Sequence, residues 1–310
     1  MGSTEVTVGT RRLSLSNLEK VLYPAAGFSK GEVLDYYARI SPWLLPHLRD
    51  RPLTLKRYPN GVEGPSFYEK RCPSHRPAWV KTFTVHQRHQ APIPFTLAND
   101  LPTLIWVANL ASIELHPSLS KVPQLDRPTM VVFDLDPGAP AGALECCEVA
   151  LRVRELLRDL GLESVVKTSG SKGLQVYAAL NTPASYGETK PFARAVAELL
   201  EREWPQRVVS RMAKSLRVGK VLVDWSQNDP QKTTVCVYSL RARERPTVSG
   251  PVTWAEVARA VERRDARPLF FEAKEAVERC RRMGDLFEPL LTSRQHLPGR
   301  ASSAAHGRRA

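Results

Sequence analysis

An apolar run that ends in two acids, "VVFDLDPG" over residues 131–138, is the segment of this chain best suited to chemistry. In an extended strand side chains alternate faces, so Asp134 and Asp136 share one side and Leu135 takes the other. Carboxylates that close raise each other's pKa unless a cation lies between them, and the usual cation is a divalent metal. A third acid, Asp224, ends another apolar run in "VLVDW". Three acids at strand ends can converge on two metal ions, one activating an attacking oxygen and the other stabilising the leaving one. Turn formation is the competing explanation, since Asp136-Pro137-Gly138 is good turn chemistry. It leaves Asp134, inside the apolar run, unexplained.

Between the acids lies "KTSGSKGLQVY", residues 167–177, where a strand runs into a loop of Ser169, Gly170, Ser171, Lys172 and Gly173. Small residues let backbone N–H groups approach an anion, hydroxyls add donors and a lysine adds charge, a set that suits a triphosphate. It is not a P-loop, because the glycine spacing and the following helix are missing. Without the acids nearby, a hairpin turn with a solvated lysine explains it as well. Further cations surround the third acid: Arg217 and Lys220 before it, Lys232 after it, then Arg241 and Arg243 in "SLRARER". Arginine forks bind phosphate oxygens two at a time, although surface solubility also accounts for such residues. His116 in "ELHP" suits either a phosphate contact or a turn.

These residues need elements to hold them. The segment "FSKGEVLDYYARI" has Ser29 and Glu32 at capping-box spacing, then Val33, Leu34, Tyr37 and Ile40 at helical intervals, which predicts a helix. In the basic, Pro-punctuated front part, up to about residue 117, "RPLTLKRYP" and "PSFYEK" predict strands. From residue 129 the pattern is more regular. A strand "MVVFDLD" is followed by a helix from 143 to 160 closed by Gly161, strands "ESVVKTS" and "LQVYAAL", and a helix near 188–204. Then come a strand "KVLVDW", a turn "SQNDPQ" and an extended "TTVCVYSL". No steady βαβ period runs through this order. The expected fold class is therefore α+β, with mixed or antiparallel sheets and flanking helices and not a doubly wound sheet. One unit over 1–292 is expected, with a front part at about 12–117 and a catalytic part at about 129–291. The tail from residue 293, "SRQHLPGRASSAAHGRRA", reads as disordered and basic.

The chain has 310 residues, 42% of them hydrophobic, enough for a substantial core. Forty-five Lys and Arg against 32 Asp and Glu give +13, which favours a polyanionic partner such as nucleic acid. The four arginines of the tail leave most of that charge on the rest of the chain. The segment "MGSTEVTVGTRRL" has no apolar stretch of signal-peptide length, and runs such as "TLIWVANLA" are too short to span a bilayer. A cytoplasmic location with no membrane contact is expected. Five cysteines, two of them adjacent and none in a zinc-type pair, read as reduced, buried thiols.

In chain order, "FDLDPG", "TSGSKGL", "VDWSQN" and "YSLRAR" resemble the polymerase domain of bacterial DNA ligase D. That domain belongs to the primase-polymerase branch of the archaeo-eukaryotic primase superfamily, and the likeness runs from about Leu13 to Leu291. The resemblance implies a primase-polymerase core that adds nucleotides, often ribonucleotides, to primer 3′ ends at gaps and double-strand breaks in non-homologous end joining, using two Mn2+ (or Mg2+) ions. It makes Asp134, Asp136 and Asp224 the catalytic metal ligands, with Asp224 also orienting the primer 3′-hydroxyl for in-line attack on the α-phosphate. It gives nucleotide binding to Lys56, His116, Ser169, Lys172, Gln175, Arg217, Gln227 and Arg241. Asn17, Lys20 and Lys30, in "LSNLEKVLYP" and "FSKGE", are implied as ligands of a 5′-phosphate across a gap, and Phe67 and Tyr68 as a platform for template bases. The implied partners are double-stranded DNA ends, gapped DNA with a 5′-phosphate, NTP or dNTP, a Ku-type end-binding protein and a ligase, for a monomer at the bacterial nucleoid. Lacking a lysine-nucleophile ligase module and a nuclease module, the chain is expected to be a stand-alone polymerase-like protein, with a domain cut from a larger one as the alternative.

One residue departs from the family pattern. A histidine normally follows "SKGL", and here it is Gln175, which can donate to a phosphate but carries no charge. That leaves open a catalytically weakened protein that binds DNA ends and 5′-phosphates. A haloacid dehalogenase-like phosphatase also starts from Asp-x-Asp after an apolar run, but Pro137-Gly138 follows here in place of that class's Gly-Thr or Gly-Val.

Overall fold

The computed structural model describes residues 3–87 and 90–298. Its central element is the strand Met130–Pro137, and the burial along it explains the apolar run. Val131, Phe133 and Leu135 face one core, built with the helices Ala143–Asp159 and Tyr186–Glu203. Met130 and Val132 face a second core, shared with Tyr177, Tyr238 and the front part of the chain. A strand covered on both faces loses polar alternation. The alternation returns where the second cover stops, and there Asp134 and Asp136 continue the face that Val132 began.

Around this strand a six-stranded sheet forms in the order Val208–Val209, Val221–Asp224, Met130–Pro137, Leu174–Ala179, Ser164–Thr168, Pro251–Val252. Every pairing is antiparallel except the first, which is parallel. The expected α+β class, with a mixed sheet and flanking helices, is what the chain adopts. In the front part a second sheet joins Leu53–Arg57 to Phe67–Glu69, to Gln90–Thr96 and to Ser112–Pro117, and Thr82–Gln87 pairs with Gln90–Thr96 at its edge. The helix Lys30–Leu48 packs beside it. Ser29 and Glu32 close its capping box at 3.2 Å and 2.7 Å, a device that stabilises a helix by about 1 kcal/mol. The front part is more regular than its prolines suggested: "LPTLIWVAN" is a buried helix, Leu101–Asn109, capped by Asp100.

Two expectations change. "TTVCVYSL" is buried but forms no strand. Its N–H groups go to separate partners, Cys236 N to Leu115 O and Tyr238 N to Ser249 O, and Tyr238 sits at φ 64°, a value incompatible with a continuous ladder. The tail also begins later than residue 293. Gln295 bonds through its side chain to the carbonyls of Ala179 and Glu163 and through its N–H to Leu180 O, and Leu297 is buried. Residues 299–310, the rest of the expected disordered tail, lie outside the described residues. All five cysteines are buried free thiols. Among the described residues no helix is long and apolar enough to cross a membrane.

Candidate active site

A row of four side chains crosses four neighbouring strands on one face of the larger sheet. Asp224 pairs with Asp134, Asp134 with Gln175, and Gln175 with Lys167, each directly opposite the next. Asp136 follows two residues beyond Asp134 on the same face. Loss of hydration in the cleft, then the neighbouring Asp136 charge, pushes the Asp134 carboxyl up to about 7, against the opposing pull of Gln175. Asp136 is raised as well, by lost hydration first and then by Asp224, with Arg217 and Arg241 opposing.

Asp224 is turned onto its own chain. One oxygen accepts from Ser226 N at 2.8 Å and Ser226 Oγ at 2.5 Å, and the other from Gln227 Nε2 at 2.9 Å. Among the described residues no group of three or more His, Cys, Asp or Glu side chains is arranged around a metal position. The donor chemistry nevertheless fits a divalent cation: hard oxygens only, from two carboxyls that raise each other's pKa. The backbone register already sets Asp134 and Asp224 side by side, so a side-chain rotation suffices to bring them together.

A cavity of about 280 Å³ opens over the row, lined by Tyr68, His116, Asp134, Gln175, Gln227 and Arg241 among others. A larger one of about 600 Å³ adjoins it through Thr233, but holds none of the three acids. Glu114, which the sequence reading passed over, organises the smaller cavity. Its buried carboxylate meets His116 Nε2 at 3.0 Å, Arg241 Nε at 3.3 Å and Ala242 N at 3.1 Å. Burial alone would raise this carboxyl; the His116 hydrogen bond and the Arg241 charge reverse that and hold it at about 2. Burial keeps His116 below its ordinary value despite Glu114. The ring is therefore neutral at pH 7 and donates Nε2–H, while Arg241 supplies the charge. A signal for Glu114 was present in "SIELHP": an acid inside an apolar strand, two residues before His116 and so on its face.

The loop after Ser164–Thr168 closes tightly on the central strand. A Cβ on Gly173 would stand 1.9 Å from Leu135 O, so no larger residue fits without moving the strand. Ser169 uses Oγ to accept from Gly173 N at 3.2 Å and Ser171 N at 3.3 Å, and its carbonyl accepts from Arg241 Nη1 at 2.8 Å. Lys172 is exposed at the tip. Arg217 lies toward Asp136, with its Nη2 on Met212 O at 2.5 Å and a buried Nε that has no partner. Asn228, also missed in the sequence, extends the ladder where Val221–Asp224 ends: its amide accepts from Val132 N at 2.9 Å and donates to Val132 O at 2.7 Å.

On the front sheet Lys56 stands opposite Glu114 on one side and Tyr68 on the other. Its Nζ lies 5.3 Å from the rings of both Tyr58 and Tyr68. Phe67 and Tyr68 are exposed at 46% and 60%, unusual for aromatics of their size, and Tyr68 leans edge-on to His116. Asn17, Lys20 and Lys30 are close together but away from the acids. Lys20 N bonds to Asn17 O and Lys30 N to Lys20 O, while Lys20 Nζ reaches Asn60 and the buried Lys30 Nζ reaches Ser16 O at 2.6 Å. Burial and then the charges of Lys20 and Arg57 lower Lys30 to about 8.

Comparison with known proteins gives a consistent answer. A family model described as "LigD, primase-polymerase domain" matches residues 29–287. The multifunctional non-homologous end joining protein LigD of Mycolicibacterium smegmatis is 43% identical over 281 residues, covering 90% of this chain and 36% of that protein. The bifunctional LigD of Bacillus subtilis is 29% identical, covering 93% of this chain and 45% of that protein. The chain thus spans less than half the length of these relatives. Among solved structures, the polymerase domain from Mycobacterium tuberculosis ligase D in complex with DNA superposes with a TM-score of 0.85 at 40% identity, over 92% of this chain and 99% of that one.

Proposed function

The chain belongs to the LigD primase-polymerase family, and on that footing we propose that it extends primer 3′ ends at DNA gaps and double-strand breaks by metal-dependent nucleotidyl transfer, adding ribonucleotides or deoxyribonucleotides. The observation that carries the reading is the pairing of Asp134 with Asp224, with Asp136 on the same face, at the mouth of a cavity lined by His116, Gln227 and Arg241. Asp134, Asp136 and Asp224 would hold two Mn2+ or Mg2+ ions, which when bound supply charge stabilisation for a reacting phosphate and its attacking oxygen.

The remaining steps belong to the protein. Arg241, Arg217 and the exposed Lys172 offer cations to a triphosphate, and the loop around Ser169 is small enough for close approach. Because His116 Nε2 is taken by Glu114, only Nδ1 remains for a phosphate, and it donates only when the ring is protonated. Gln227, which donates to Asp224, would release it as the site fills. Lys56, Phe67 and Tyr68 form the surface for template bases, and Asn17, Lys20 and Lys30 take the 5′-phosphate beyond the gap. DNA ends, a Ku-type end-binding protein and a ligase are the proposed partners, in line with the names of the relatives and with the DNA in the solved M. tuberculosis structure.

The test is gap filling on a duplex with a 5′-phosphorylated short gap, varying Mn2+, Mg2+, NTP and dNTP. Extension that depends on Mn2+ and is lost in Asp134→Ala supports the reading. Tight phosphate-dependent binding with no extension under any metal would replace it with the end-binding protein.

A further inference from the structure

Gln175 occupies the position where the family pattern has a histidine, and its surroundings fix its role. Lys167 is a lysine buried to 1% exposure. Its Nζ donates to Gln175 Oε1 and Ser249 Oγ, each at 2.5 Å. Lys167 Nζ is the donor in that contact, so the atom of Gln175 that faces it is the oxygen. Tyr177 OH donates to the same Oε1 at 3.0 Å. Two donors on one side leave the amide NH2 pointing the other way along the row, where the directly opposed residue is Asp134, on which Gln175 acts as a hydrogen-bonding neighbour.

We propose that Lys167 and Gln175 form a positioning relay for the catalytic carboxylate: the buried lysine locks the amide, and the locked NH2 holds Asp134 for its metal. The inference rests on the polymerase reading and reassigns Gln175 within it, from a phosphate ligand to a support for Asp134. Partners that orient a metal ligand typically govern affinity for the ion.

The measurement is Mn2+ binding to the full chain without DNA or nucleotide, followed by electron paramagnetic resonance of the free ion, beside steady-state gap filling. Gln175→Leu and Lys167→Met are each expected to weaken Mn2+ binding roughly tenfold, while the KM for nucleotide moves less than about twofold. The double variant is expected to be no worse than the weaker single one, because Lys167 acts only through Gln175. Unchanged Mn2+ affinity in folded Gln175→Leu overturns the proposal. So does the opposite split, a KM raised about tenfold with Mn2+ binding intact, which is the behaviour of a phosphate ligand. Should Lys167→Met fail to fold by circular dichroism, nuclear Overhauser contacts in the wild type decide. Gln175 amide protons nearer Asp134 Hβ support the relay; nearer Lys167 Hε, they overturn it. A wild type that binds Mn2+ through this relay yet extends no primer would refute the polymerase reading alone.

Discussion

Asp134 and Asp224 stand directly opposite one another on neighbouring antiparallel strands, although ninety residues of chain separate them. Directly opposed side chains have Cβ atoms about 5 Å apart, close enough for both carboxylates to reach one ion. Replacing Asp134 with asparagine keeps the shape and removes the charge. Gap filling by Asp134→Asn is expected to fall on the order of a hundredfold or more, about 3 kcal/mol of transition-state stabilisation. Affinity for gapped DNA is expected to stay within about twofold, since the proposed DNA contacts lie elsewhere. Chelation of the metal should give the same split in the wild type, readable by primer extension and by fluorescence anisotropy.

Glu114 governs the acid side of stability. Its folded value of about 2 lies below the ordinary 4.5, so between these limits the native state holds fewer protons than the unfolded chain. The contribution is complete above pH 4.5 and is lost as pH falls toward 2, on the order of 3 kcal/mol in all. Glu114→Gln is expected to be less stable at neutral pH and to show a flatter acid limb in urea melts from pH 5 to 2.5. An unchanged limb would remove Glu114 as the centre of this network.

The crowded cations at Lys20 and Lys30 call for an anion. Lys20→Ala is expected to lower affinity for a 5′-phosphorylated gap roughly tenfold, the loss of one charge-assisted contact, and to leave the unphosphorylated gap nearly unaffected. Lys30→Ala should lose the same preference, with some loss of thermal stability because Lys30 also holds Ser16. Wild-type protein that binds both gaps equally would rule the pocket out.

Two large aromatics at the surface ask for a flat partner. Phe67→Ala and Tyr68→Ala are each expected to weaken template binding by about 1–3 kcal/mol, with little sequence preference. Both side chains are exposed, so the melting temperature should barely move. Binding to single-stranded and gapped templates by anisotropy checks this, with the melting temperature as the control.

The sequence alone determined the features that depend on neighbours along the chain. The Ser29 cap, the shared face of Asp134 and Asp136, and the tight loop at Gly173 are local consequences of residue type and period. The order of four motifs was also enough to suggest the family, because each acidic or small residue interrupts an apolar pattern that burial would otherwise extend. What only the tertiary structure decided is which residues are opposite which. The row from Asp224 through Asp134 and Gln175 to Lys167 exists because four strands pair in one register, and register is set by the packing of both faces of the sheet. Lys167 and Glu114 looked ordinary in sequence because their significance lies in being buried with particular partners, and burial is a property of the assembled cores. For the same reason "TTVCVYSL" reads as a strand yet folds as a buried loop, its N–H groups claimed by Leu115 and Ser249 from distant parts of the chain.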